Sequence, residues 1–271
     1  PRVLMGVTAG ASLGLCGGVF QLLFRNPLAS PDLVGVASGA GAGAACGIVL
    51  GTGSMAMVMG GAFLGGMAAL FGVFLLVWQS GNNRPGSYIL GGILISALAD
   101  AAIMLLKHGA DSEGKLAAIE FWTMGSLSSV TASKTAGVLA LCIPCLALLI
   151  LFHREIVLLS LGDEQAGMLG LPAGKMRMLL LTLATLSVAG VISATGVIAF
   201  VGLLAPHGAY LLLRRRNRAF LWMSMVSGAA LTVAADCFAR SVTDGELPLS
   251  IFTTFCAAPF LFYFLKTAKS R

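Results

Sequence analysis

Charge is what this chain has least of. Of its 271 residues, 17 are Lys or Arg and 11 are Asp or Glu, whereas a soluble domain carries roughly 25% charged residues. A water-facing globule of this length needs more polar surface than that. The scarcity excludes a soluble enzyme, a nucleic-acid partner and a disordered chain. Histidine is thin too: His108, His153 and His207 stand far apart, so no metal cluster is expected. The chain has no Gly-x-x-x-x-Gly-Lys-Ser/Thr phosphate loop and no His-Glu-x-x-His. That removes ATP binding by the first route and zinc-peptidase chemistry by the second. The six cysteines (Cys16, Cys46, Cys142, Cys145, Cys237 and Cys256) all lie inside apolar runs. They give no disulfide framework, and Cys142-Ile-Pro-Cys145 reads as helix packing rather than a redox motif. No cofactor is expected.

Apolar residues make up 58% of the chain. They fall in continuous runs of about 17–24 residues, the length a helix needs to cross about 30 Å of hydrocarbon. A membrane β-barrel would show short alternating segments instead. The sequence therefore predicts an all-α, polytopic membrane helix bundle. Its spans fall near 3–24, 34–50, 55–78, 88–107, 135–153, 177–195, 196–213, 220–240 and 249–265. The stretch Leu116–Met124 reads as a short surface helix. No soluble domain fits between the spans, so 1–271 reads as a single transmembrane domain. Prolines Pro144, Pro206 and Pro259 fall within spans and are expected to break or kink them locally. Glycines cluster at Gly14, Gly17, Gly18, at Gly35, Gly39, Gly41, Gly43 and at Gly60, Gly61, Gly65, Gly66. Small residues three or four apart let helices approach closely where lipid offers no hydrophobic drive.

Nine crossings put the loops at 25–33, 79–87, 154–176 and 214–219 on one side with the C-terminus. That side holds 12 of the 17 Lys and Arg residues, Arg25 and Arg214-Arg-Arg-Asn-Arg218 among them, and the other side holds 5. Basic loops mark the cytoplasmic face, so the C-terminus is expected inside. Pro1 then starts outside, which leads us to expect one more helix upstream.

Charges inside spans are informative, because each costs at least about 2.5 kcal/mol at the bilayer centre. Asp236 and Arg240 stand four apart and share a helix face. They read either as a helix-end ion pair or as a site presenting Arg240 to an outer partner. Asp100 is isolated in Gly91-Gly-Ile-Leu-Ile-Ser-Ala-Leu-Ala-Asp100 and reads as pathway lining or as a helix–helix hydrogen-bonding group. The loop Leu161-Gly-Asp-Glu-Gln-Ala-Gly-Met-Leu-Gly-Leu-Pro172 starts with acids that suit a short helix's dipole. It is either a docking surface for a soluble partner or a plain connector.

Several stretches in order resemble one family, the FecCD permeases of ABC importers for vitamin B12, haem and iron-siderophores. They are Pro1-Arg2, Phe24-Arg-Asn-Pro-Leu-Ala-Ser-Pro-Asp-Leu-Val-Gly-Val-Ala-Ser-Gly39, Phe121-Trp-Thr-Met-Gly-Ser126, the 161–170 loop, Phe200-Val-Gly-Leu-Leu-Ala-Pro-His207, Ala235-Asp-Cys-Phe-Ala-Arg240 and Glu246-Leu-Pro-Leu. The resemblance implies a ten-helix fold whose second helix starts at Pro1-Arg2. It also implies a homodimer in a bacterial or archaeal cytoplasmic membrane, with two ATPase subunits inside and a substrate-binding protein outside. Gly162, Asp163, Glu164, Ala166, Leu169, Gly170 and Leu171 match the ATPase-coupling segment. Arg2 and Arg240 match outer arginines that receive acidic side chains of the binding protein. Three places depart from the family pattern. Tyr210 stands where Pro-His-x-x-Arg has its arginine, Gly196-Val-Ile-Ala-Phe200 replaces Gly-Pro-Ile-Gly-Phe, and Asp100 replaces a small or apolar residue. The expected function is ATP-driven import of a metal chelate, with no enzyme activity in this subunit. The alternative is an ion-coupled secondary transporter using Asp100 or Asp236.

Overall fold

Long apolar runs with no neighbouring strand partners can satisfy their backbone groups in lipid only as helices, and helices are what they form. The computed structural model describes residues 1–51, 53–110, 113–242 and 245–268. Among the described residues it contains twelve α-helices and one 3-10 turn, Pro31–Val34, and no strand. The helices are α1 (Arg2–Leu23), α2 (Val36–Val49), α3 (Met55–Ser80), α4 (Pro85–His108), α5 (Glu113–Met124) and α6 (Ala132–Leu151). They continue with α7 (His153–Leu161), α8 (Asp163–Met168), α9 (Ala173–Thr195), α10 (Val201–Leu213), α11 (Arg218–Ser241) and α12 (Leu249–Ala268). Lys269 and Arg271, counted above among the basic residues of one side, lie outside the described residues.

Each of the nine expected spans corresponds to one helix: α1, α2, α3, α4, α6, α9, α10, α11 and α12. Six of these are long and apolar enough to cross a bilayer, while α2, α10 and the described part of α12 are shorter apolar helices. Helices α1 and α9 form the buried centre of the bundle. Close crossings hold it together. A Cβ on Gly10 would overlap the Gly228 carbonyl, and one on Gly228 would overlap the Gly10 carbonyl, so α1 and α11 meet backbone to backbone. Gly43 and Gly61 do the same for α2 and α3.

Two expectations need correction. Residues 196–200 do not open a helix, and α10 starts only at Val201. The chain leaves α9 through Gly196 and turns at Phe200 with φ of 63°. Its backbone groups are met by protein: the Ala199 N–H donates to Ser250 Oγ at 3.1 Å and Ser250 Oγ donates to the Val197 carbonyl at 2.9 Å. Irregular backbone at membrane depth is tolerated where protein buries it in this way. Second, of the expected break or kink at the prolines, the break does not occur. Pro144, Pro206 and Pro259 each lie inside a continuous helix, α6, α10 and α12.

Candidate functional site

At one end of the bundle α7 and α8 fold back beneath α9. Helix α8 begins after Gly162, whose φ is 136°, and carries Asp163 and Glu164 in its first turn, where the helix dipole favours acids. It ends in a Schellman motif: the Leu171 N–H donates to the Ala166 carbonyl at 3.0 Å and the Gly170 N–H to the Gly167 carbonyl at 2.9 Å. Gly170 supplies the left-handed residue, with φ of 80°, that this cap demands. Ala166 is fully buried and seats the helix, while Met168 and Leu169 project outward at 85% and 64% exposure. A charged surface loop has no use for two exposed apolar side chains, whereas a docking surface does. The segment 161–172 is therefore built as a capped, projecting helix rather than a slack connector.

The sequence reading missed what fastens this helix. Arg177, near the start of α9, is fully buried. Its Nη2 donates to Asp163 Oδ1 at 2.6 Å, and its Nη1 donates to Asp163 Oδ2 at 3.2 Å and to the Asn83 carbonyl at 2.9 Å. A two-pronged guanidinium–carboxylate pair is both strong and directional. Among sequence signals only the basic count touched Arg177, and it assigned the residue to topology.

The opposite end carries the second charged cluster. The i,i+4 spacing points to Arg240 as the partner of Asp236, but the closer partner is Arg2 of α1. Arg2 donates from Nη2 to Asp236 Oδ1 at 2.7 Å and from Nε to Oδ1 at 2.9 Å and Oδ2 at 3.1 Å. Its Nη1 donates to Glu246 Oε1 at 2.8 Å. Arg240 reaches Asp236 Oδ2 only at 3.5 Å and is the more exposed arginine. The Arg2 guanidinium holds the Glu246 carboxyl below the usual carboxylate range. Two arginines and two acids thus form a neutral cluster joining α1, α11 and the approach to α12.

Asp100 lies on α4, whose buried residues are Pro85, Tyr88, Gly91 and Gly92. Around it Leu98, Met104 and Leu105 are exposed at 59%, 69% and 73%, and Asp100 is itself exposed without a partner among the described residues. The structure brings Asp163 to Arg177 and Arg2 to Asp236, and Asp100 takes part in neither cluster. At the Tyr210 departure, the Arg216 guanidinium lies over the Tyr210 ring at 5.2 Å from its centroid. An arginine from the next loop therefore occupies the neighbourhood of the missing one.

A model of the FecCD transport family matches residues 1–267. The chain belongs to that family. Among FecCD relatives it is 35% identical to the cobalamin import system permease protein BtuC of Halobacterium salinarum, over all of this chain and 73% of that protein. It is 34% identical to the molybdate import system permease protein MolB of Haemophilus influenzae, covering 96% of this chain and 77% of the relative. It is also 34% identical to the hemin transport system permease protein HmuU of Yersinia pestis, covering 100% and 83%. A solved structure described as an inward-facing conformation of a metal-chelate type ABC transporter superposes with a TM-score of 0.93 at 32% identity. That superposition covers 98% of this chain and 85% of the other. PsaBC from Streptococcus pneumoniae, at 19% identity and a TM-score of 0.71, shares the fold. This FecCD chain is accordingly a multi-pass membrane protein of a transport family.

Proposed function

We propose that this chain is the membrane-spanning subunit of an ATP-driven ABC importer that moves a metal chelate of the iron-siderophore, haem or cobalamin class into the cytoplasm. The family match along the whole chain supports the transport reading. The observation that carries the coupling reading is α8, a capped helix with Met168 and Leu169 exposed on the basic side of the bundle. Gly162, Asp163, Glu164, Ala166, Leu169, Gly170 and Leu171 make up the segment that an ATPase subunit grips, with the buried Ala166 seating it, and ATP hydrolysis resides in that subunit. The whole chain acts as one transmembrane domain in a bacterial or archaeal inner membrane, with its C-terminus in the cytoplasm. Two copies assemble around a pathway, each with an ATPase below, and a binding protein docks outside on Arg240 and Arg2. Such charge pairs steer docking more than they add affinity.

An exposed carboxylate within an apolar helix face cannot rest in lipid without cost. Asp100 therefore supports a pathway or a second copy along α4. The ion-coupled alternative also draws on Asp100, while Asp236 is engaged by Arg2 and is a poor ion carrier. Liposomes containing the chain with and without its ATPase, with and without ATP, separate the two. Uptake of the chelate held by the neighbouring binding protein should need both ATPase and ATP. Uptake driven by an ion gradient without the ATPase would sink the proposal. Large residues at Gly162, Ala166 or Gly170 should leave ATP hydrolysis uncoupled from uptake, and normal transport by those variants would refute the α8 assignment.

A further inference from the structure

The ion pair under α8 reaches a third segment. Arg177 Nη1 bonds the carbonyl of Asn83 as well as Asp163, and Asn83 directly precedes Arg84, the N-cap of α4. One buried guanidinium thereby joins the first turn of α8, the base of α9 and the turn that launches α4. We propose that Arg177 is a positioning residue that carries displacement of α8 into α4. The inference rests on the reading of α8 as the ATPase contact.

Three observations make this more than a staple. Arg177 has no exposed surface and its Nε finds no hydrogen-bond partner, so the site sacrifices one donor to hold the other two nitrogens in place. Burying a guanidinium is costly unless its partners are fixed, and an apolar contact would secure α8 more cheaply. Next, the bonding is directional. The fork geometry ties Asp163 and Asn83 at fixed angles, which an ammonium on a flexible stem does not do. Finally, α4 is held most firmly at its base. All its buried residues fall in its first two turns, where Tyr88 packs edge-on against Phe74 at 6.2 Å and lies 6.5 Å from Phe24. Toward its far end the half-buried Ile103 and Leu106 pack against the core, and an exposed Lys107–Glu120 pair at 2.7 Å adds a weak restraint. Asp100 stands 15 residues beyond Pro85, about 22 Å along the axis at 1.5 Å per residue. A tilt at the turn is therefore passed along the helix to the Asp100 face.

The test follows α4 directly and needs no transported ligand. Spin labels at Leu98→Cys on α4 and Phe71→Cys on α3, both exposed positions, are placed in a background with the six native cysteines replaced. The permease is reconstituted with its ATPase subunit, and the label distances are compared without nucleotide and with ATP. The unmodified interface should show a nucleotide-dependent shift. Arg177→Lys should still capture the ATPase while the shift falls at least several-fold. Asp163→Asn should lose the shift likewise, and Asp163→Glu should retain most of it. A merely structural pair would lower the melting temperature in all three and leave the nucleotide response of the folded fraction intact. That result, or a full shift in Arg177→Lys and Asp163→Asn, overturns the proposal while leaving the α8 reading standing. ATPase capture undiminished by Leu169→Glu overturns the α8 reading and this inference with it.

Discussion

Gly39 and Gly60 serve the same helix pair, α2 with α3, yet a methyl group should act on them in opposite directions. A Cβ on Gly39 would lie 2.6 Å from the Gly65 carbonyl oxygen and 2.6 Å from the Ala69 Cβ, whereas a Cβ on Gly60 meets nothing within 4 Å. Ordinary contact starts near 3.4 Å, so the Gly39→Ala methyl is about 0.8 Å too close on two sides. One of the obstructing atoms is backbone and the other a Cβ fixed to it, so no rotamer relieves the clash and the helices must part. A gap of 0.5–1 Å forfeits roughly a quarter to a half of each dispersion contact along it, and overpacking of this kind costs about 1–3 kcal/mol. The better helix propensity of alanine returns up to about 1 kcal/mol at either position. Gly39→Ala should therefore be destabilised by about 1–2 kcal/mol, and Gly60→Ala should be neutral or slightly stabilised.

The chain supplies its own reporter. Cys16, Cys142 and Cys145 are buried, while Cys46 and Cys237 are exposed. With the two exposed cysteines and the half-exposed Cys256 changed to serine, a thiol-reactive dye signals loss of the core. At about 2–4 °C per kcal/mol for a chain of this size, Gly39→Ala should melt roughly 5 °C below the parent in detergent. Equal melting temperatures for Gly39→Ala and the parent, or an equal drop in Gly60→Ala, would refute the backbone-to-backbone account of this crossing.

Arg2→Gln leaves the buried Asp236 with only the 3.5 Å contact from Arg240; losing the close charged bonds should cost about 2 kcal/mol in the same melting assay, and Arg240→Gln should cost less. Glu246 has its carboxyl pKa lowered by Arg2, so its stabilising effect is present above the unfolded carboxylate value, about 4.3, and is lost as pH falls through the folded one. The melting-temperature gap between the parent and Glu246→Gln should accordingly be open at pH 7 and close below about pH 4; a gap that persists to lower pH would contradict this. Ser250→Ala removes the hydroxyl that bridges Val197 and Ala199, and the stranded backbone groups should cost about 1–3 kcal/mol, with faster amide exchange at Ala199 as the local readout.

Hydropathy made the nine apolar helices legible, because length and apolarity are what lipid demands of a crossing. It failed at Val197–Phe200, where four apolar side chains sit on irregular backbone; hydropathy reads side chains, and only Gly196 hinted at the dihedral change. Helix α7 was absorbed into a loop because His153-Arg-Glu155 looks like solvent-facing punctuation. The short helix α8 was legible through its own chemistry, acids at the start and Gly170 at the end, while that chemistry left open whether it docks a partner or merely connects. What fastens it was not, because Arg177 on a count of basic residues is indistinguishable from Arg214 or Arg215. Local periodicity likewise paired Asp236 with Arg240, since the i,i+4 rule sees four residues away. The closer partner, Arg2, is 234 residues distant in sequence, and only packing α1 against α11 through Gly10, Gly14 and Gly228 brings it there.

The few charges of this chain sort by what they can find. At the ends of the bundle Asp163 meets Arg177 across the α8–α9 turn and Asp236 meets Arg2 from the other end of the sequence. Asp100 meets no partner among the described residues, and it stands on the least buried of the six long apolar helices. A carboxylate costs at least about 2.5 kcal/mol in hydrocarbon, so that face of α4 is not a lipid face at this depth. On the proposed function, a pathway between two copies would complete it with water or with protein from the second copy. The base of the same helix is gripped by Tyr88 and by the Asn83 turn. The least buried of the long helices is thus also the one whose root bonds the guanidinium that holds α8, an arrangement that, on the proposed function, suits a moving wall better than a fixed one.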